Sequence, residues 1–145
     1  MSLATSPSYI ARDVLNERWL PFYAKGGFDR CLAIVDEEVA VKAAQRLAPL
    51  WACIEPCNRL VIPGGEGVKS LSRVEETIDW LLARSATRST LLVAVGGGAL
   101  LDFLGFVASI YKRGIPCVYV PTTLMAMIDA SIGGKTAVDY AGVKN

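Results

Sequence analysis

The chain has 145 residues, of which 52% are hydrophobic and 20% charged, so it can bury a core and is not a disordered segment. Lysine and arginine total 15 against 14 acids, a net charge of +1 with the signs interspersed, which excludes the one-sided basic face that nucleic-acid backbones require. No apolar run approaches a membrane span, and Met1–Leu15 lacks the basic end and apolar stretch of a secretory signal. The expectation is one α/β domain over residues 1–145, working in the cytoplasm without a nucleic-acid or membrane partner. Cys31, Cys53, Cys57 and Cys117 lie in or near apolar segments, and no histidine exists to complete a zinc set, so they read as reduced thiols and no metal ligand is assigned.

Ser8–Arg12 reads as a short strand, and Val14–Lys25 as a helix in which Pro21 must lie near an end or make a kink. Gly26-Gly27 then breaks the chain. Cys31–Val35, closed by Asp36, has the pattern of a buried parallel strand with an acid at its carboxyl end. Glu38–Trp51 places Val39, Ala43, Leu47 and Leu50 at helical spacing. Arg59–Ile62 is the next strand, ended by Pro63-Gly64-Gly65. Ser70 is a good N-cap for a helix whose apolar side is Val74, Ile78, Leu81 and Leu82. Leu91–Val95 is a strand, Ala99–Tyr111 a helix and Cys117–Val120 a further strand. Thr123–Ser131 reads as a short helix, and Thr136–Asp139 as a short strand or an extended loop.

Strands alternating with helices over short loops predict a Rossmann-like, mostly parallel sheet flanked by helices. Ligands of such sheets gather at the carboxyl ends of the strands. Asp36, Gly64–Lys69, Gly96–Gly98 and Thr122-Thr123 all fall at predicted strand ends of that kind, so four polar segments converge on one edge.

Gly96-Gly97-Gly98 leads from a strand into a helix, where glycines admit a pyrophosphate close to the backbone and the first amides of the helix face it. The G-x-G-x-x-G fingerprint is incomplete, because Leu101 stands at the third glycine, and a tight turn without ligand is the other reading. Asp102, among Leu100, Leu101, Phe103 and Leu104, either complements the helix dipole or meets a ribose hydroxyl or nicotinamide amide. In the loop Gly64–Lys69, Glu66 suits a ribose and Lys69 a phosphate, unless the loop is simply solvated. Thr122 and Thr123 suit both helix capping and ligand contact. Arg113, Asp129, Lys135, Lys144 and Asn145 make a charged and polar set that fits a substrate with phosphate, carboxylate and hydroxyl groups.

PGGEGVKS, GGGALLD, RGIP, VPTT, MIDASIGGKTAV and the closing VKN keep an order and spacing that resemble 3-dehydroquinate synthase, of the sugar-phosphate cyclase superfamily, over roughly Asp36–Asn145. Glycerol dehydrogenases are similar through the glycine turn and Pro-Thr-Thr, but do not usually continue with D-x-S-x-G-G-K-T. Cyclases that make valiolone or inosose compounds tend to lose the Gly-Gly-Lys-Thr pattern, intact here as Gly133–Thr136.

The resemblance implies a lyase of the shikimate pathway, and so of aromatic amino acid biosynthesis. It would convert 3-deoxy-D-arabino-heptulosonate 7-phosphate to 3-dehydroquinate and phosphate, with NAD oxidising a ring alcohol transiently and being regenerated. By motif match, Asp36, Gly64, Gly65, Glu66, Gly67, Val68 and Lys69 fall on cofactor positions. Gly98, Ala99, Leu100, Leu101, Asp102, Thr122, Thr123 and Lys144 do so too. Asp129, Lys135 and Asn145 fall on substrate or catalytic positions, with Lys135 also near the nicotinamide. Arg113 matches a substrate-phosphate position acting across a homodimer interface. The family's zinc is held by a glutamate and two histidines beyond the last motif, on a helical second domain that is absent from this chain. The expectation is therefore an N-terminal half that binds NAD but is inactive alone. Two other readings stay open: a catalytically dead nucleotide-binding module, and one half of a glycerol-dehydrogenase-like enzyme.

Overall fold

The computed structural model describes residues 19–144; the strand expected over Ser8–Arg12, the start of the Val14–Lys25 helix and Asn145 lie outside the described residues. Four strands, β1 (Arg30–Asp36), β2 (Arg59–Ile62), β3 (Thr90–Gly96) and β4 (Cys117–Pro121), form one sheet in the order β2-β1-β3-β4. Every neighbouring pair is parallel, with Cys31 opposite Leu91, Val35 opposite Val95, and Gly96 opposite Pro121.

The apolar runs of β1 and β3 are continuous because helices cover both faces of the sheet. Cys31, Ala33, Val35, Leu91, Val93 and Val95 point to one face. There they pack against α1 (Trp19–Lys25), α2 (Glu37–Lys42) and α3 (Ala48–Trp51). Leu32, Ile34, Leu92 and Ala94 point to the other, against α4 (Leu71–Ala83) and α5 (Gly98–Ile110). Each buried leucine or valine side chain contributes roughly 1.5–3 kcal/mol relative to exposure. The chain runs from β1 out to β2 through α2 and α3 on one face, then back across β1 to β3 through α4 on the other. Right-handed crossovers require that change of face when the direction along the sheet reverses. The reversal leaves a crevice above the carboxyl ends of β1 and β3, the place where doubly wound sheets bind ligands.

One expected element differs. Glu38–Trp51 is not one helix: α2 ends at Lys42 and α3 begins at Ala48. The break falls at Ala43, whose φ −115° and ψ 18° leave the helical range, while Pro49 sits in the first turn of α3, where its missing N–H is not needed; Leu47 and Leu50 remain buried on the expected side. Of the two forms expected for Thr136–Asp139 the structure has the loop, since none of these residues belongs to a strand. The first turn of α4 is capped as expected, with Arg73 N–H donating to Ser70 Oγ at 3.3 Å, but Leu82 is solvent-exposed rather than part of the apolar side. Among the described residues no helix is long and apolar enough to cross a membrane.

Candidate functional site

Above the crevice lies an open cleft of about 750 Å³, lined by the ends of β1 and β3, the first turn of α5, the loop after β2 and Thr122-Thr123. Its floor is glycine because side chains would not fit. A methyl group on Gly64 would overlap the Asp36 carboxylate, and one on Gly96 would stand 2.5 Å from the Leu100 side chain and 3.3 Å from Asp36 Cβ. Gly65 has φ +81°, a left-handed conformation that glycine adopts without strain.

Gly97 is the N-cap of α5 and has no side chain to bond the first amides. Thirteen residues of aligned peptide dipoles therefore end at the cleft, with the amides of Gly98, Ala99 and Leu100 in the first turn. Such a helix start suits a pyrophosphate. Thr122 is tied to the same turn, its N–H donating to Gly96 O at 2.9 Å, and Thr123 Oγ1 accepts from Ala126 N–H at 3.2 Å to cap α6 (Leu124–Ile128).

Across the cleft, Asp36 Oδ1 accepts from the N–H groups of Glu38 (2.8 Å) and Val39 (3.4 Å), capping α2. Along its rim Lys42 donates to Glu38 at 2.6 Å. That hydrogen bond and charge hold the Glu38 carboxyl below its ordinary range and the Lys42 ammonium above its own. Glu37, Glu38, Lys42, Arg46 and Pro63 line the cleft and were not singled out from the sequence as site residues. The available signal was positional: the helix after β1 must begin at the same sheet edge as Asp36.

Of the residues expected at a site, Asp36, Gly64, Gly65, Gly98, Ala99, Leu100, Thr122 and Thr123 meet in this cleft. Glu66, Gly67 and Val68 form the next turn of the loop, with Val68 buried in the core, as is Leu101. Lys69 and Asp102, each expected to touch a ligand, touch each other through an ion pair of 2.8 Å, the lysine 7% and the aspartate 21% exposed. Asp129 and Lys135 are exposed and 3.7 Å apart. They follow α6 beside the cleft, where Ala130 Cβ is 3.7 Å from the position a Gly98 Cβ would take. Lys144 is exposed.

Arg113 stands apart from the rest of the expected charged set within one chain. It lies beyond the far end of α5, and thirteen helical residues rise about 20 Å from the cleft edge of the sheet to the opposite one. One copy of the chain does not bring it to Asp129 and Lys135.

The sequence matches the family described as 3-dehydroquinate synthase, N-terminal, over residues 59–145. The chain belongs to this family. It is 46% identical over 120 residues to the bifunctional shikimate kinase/3-dehydroquinate synthase of Thermotoga maritima, covering 83% of this chain and 24% of that protein. It is 45% identical over 117 residues to the 2-epi-valiolone synthase of Actinosynnema mirum, covering 80% of this chain and 31% of the relative. The chain thus spans about a quarter to a third of these relatives. Among solved structures, the 2-epi-5-epi-valiolone synthase of Streptomyces hygroscopicus, with NAD+ and Zn2+ bound, superposes with a TM-score of 0.77 at 32% identity, covering 100% of this chain and 41% of that one. A 2-deoxy-scyllo-inosose synthase complexed with carbaglucose-6-phosphate, NAD+ and Co2+ gives 0.71 at 32% identity, covering 81% and 33%.

The groups around the cleft fit a dinucleotide: a glycine floor, a helix start without a capping side chain and an acid across the cleft. They do not fit a catalytic metal. Among the described residues no three His, Cys, Asp or Glu side chains gather, and the chain contains no histidine.

Proposed function

We propose that this chain is the NAD-binding, N-terminal half of an enzyme that converts 3-deoxy-D-arabino-heptulosonate 7-phosphate to 3-dehydroquinate and phosphate. The observation that carries the reading is the cleft at the reversal of strand order, where Asp36, the Gly64 turn and the start of α5 converge. NAD bound there supplies a reversible hydride acceptor. The chain's own part is to hold the pyrophosphate on the amides of Gly98, Ala99 and Leu100, and to accept a hydrogen bond from a ribose hydroxyl on Asp36. Asp129 and Lys135, beside the cleft, then serve the substrate, joined in that role by Lys144 and Asn145, which follow them in the sequence. The intact Gly133–Thr136 pattern favours the dehydroquinate reaction over the valiolone and inosose ones.

With no histidine in the chain, the metal-dependent steps fall to residues outside it, and the chain alone does not turn over. Arg113, at the opposite sheet edge, reaches a substrate only in the cleft of a second copy, so the working unit in the cytoplasm is a homodimer. A catalytically dead nucleotide-binding module shares the same cleft, and turnover of the assembled enzyme separates the two.

The test is calorimetric titration of the folded chain with NAD. Saturable binding is expected, weakened about ten- to a hundredfold by Asp36→Ala, as loss of a hydrogen bond to a charged group costs about 1.5–3 kcal/mol. A folded chain that does not bind NAD would overturn the cofactor assignment. Metal-dependent turnover by the purified chain would overturn the assignment of those steps elsewhere.

A further inference from the structure

Thr136–Asp139 belongs to no strand, and among the described residues it meets α5 and the loop before α4 at three places. Ala137 N–H donates to the backbone carbonyl of Asp102 at 3.3 Å, and Asp139 N–H to that of Lys69 at 2.7 Å. The side chains of those same two residues are joined by the 2.8 Å ion pair. The third place is Gly105. A methyl group there would overlap the Tyr119 hydroxyl and stand 2.5 Å from the Thr136 methyl, so the segment lies against α5 because residue 105 has no side chain.

The two carbonyls belong to different elements, one to a helix and one to the end of a loop containing Gly64, Gly65 and Gly67. Ala137 and Asp139 are two residues apart, a reach of at most about 7 Å, and bond both carbonyls only if the carbonyls keep a matching separation. The ion pair sets that separation. Breaking it would leave a buried ammonium without its counter-charge, which costs more than the pair contributes, so the loop would move. Upstream, Ala130 is seated beside Gly98 at the cleft. Lys135 lies between these two anchored stretches, just after Gly134 with φ +63°.

We propose that Lys69, Asp102 and Gly105 are positioning residues that form a clasp, seating Thr136–Asp139 on α5 and so holding Lys135 beside the cleft. The clasp stands on this geometry alone; its use in orienting Lys135 rests on the proposed reaction.

Residue-resolved amide hydrogen exchange on the full chain tests it. Lys69→Met is expected to speed exchange at Ala137 and Asp139 by about ten- to a hundredfold while Val93 and Ala94 in β3 keep their rates. Unchanged rates at Ala137 and Asp139, or acceleration spreading equally into β3, would overturn the clasp.

A second handle leaves the ion pair intact and serves if Lys69→Met does not fold. Gly105→Ala combined with Tyr119→Phe removes the hydroxyl clash and leaves the Thr136 methyl as the obstruction. The same local loss is expected, with recovery when Thr136→Ser is added. Retained protection in the double variant, or no recovery in the triple, would also overturn the proposal. Exchange is read without cofactor, so a failure to bind NAD counts against the proposed function and leaves the clasp standing.

Discussion

At the start of β1 the Cys31 thiol is 3% exposed, and burial, reinforced by the neighbouring Cys53 thiol, pushes it from 9.0 to about 12. Burial moves Cys117 to about 12 as well, and burial with the charges of Cys117 and Asp102 does the same for Tyr119. The folded state thus holds these protons more tightly than the unfolded chain. Their contribution to stability is whole below an unfolded thiol value of about 9 and is lost as pH rises towards about 12. The urea midpoint is expected to fall between about pH 8 and pH 10.5, and to fall less steeply in Cys31→Ala; a flat profile would contradict the argument. Asp29 behaves oppositely. Burial works to raise its carboxyl, but hydrogen bonds from Thr87 and Thr90 outweigh it and hold it below the ordinary range. The apolar run containing Cys31 made its burial readable from sequence. Nothing local to Asp29 announced partners some sixty residues away, because the loop that supplies them meets it only across the sheet edge.

The helix α4 shows what local chemistry specifies by itself. Ser70 caps it, Arg73 and Glu76 pair at 2.8 Å on its surface, and Val74 and Leu81 fall on its buried side. Ser70→Ala removes the acceptor of the Arg73 N–H and is expected to cost about 1 kcal/mol. Thermal unfolding checks this, and an unchanged transition would show that the cap contributes nothing. Leu82 defeats the same reading: it continues the apolar periodicity of α4 but is 52% exposed. Periodicity identifies a stripe, whereas the width of the stripe that is covered depends on the neighbouring elements. The break between α2 and α3 is a case of the same kind, and at Thr136–Asp139 the choice between strand and loop was equally open from sequence. Whether a ladder continues is a matter of which backbone groups find partners.

Over the whole molecule, apolar residues are unevenly covered. Leu124, Met125, Met127 and Ile128 on α6, with Ile132, Tyr140 and Val143 after it, are all exposed, whereas the faces of β1 and β3 are sealed. Exposed apolar surface of this kind marks an interaction site. The chain is expected to self-associate as its concentration rises. Sedimentation velocity checks this, and a well-behaved monomer at high concentration would mean that α6 and its neighbours are too dispersed to be sticky.

The alternation of apolar strands and helices, the glycine turn into α5 and the order of the motifs were enough to specify a parallel, Rossmann-like sheet and its family, because each depends on residues close together in the chain. The strand-end rule placed Asp36, Gly64 and Gly98 at one edge for the same reason. Pairings over long sequence distance were not accessible that way. The ion pair of Lys69 with Asp102, the acids and bases of α2 on the cleft rim, and the separation of Arg113 from Lys135 all follow from how the crossovers stack elements on either face of the sheet. Spacing along a chain carries no record of which side of a sheet the next crossover takes; packing of the two hydrophobic layers sets it.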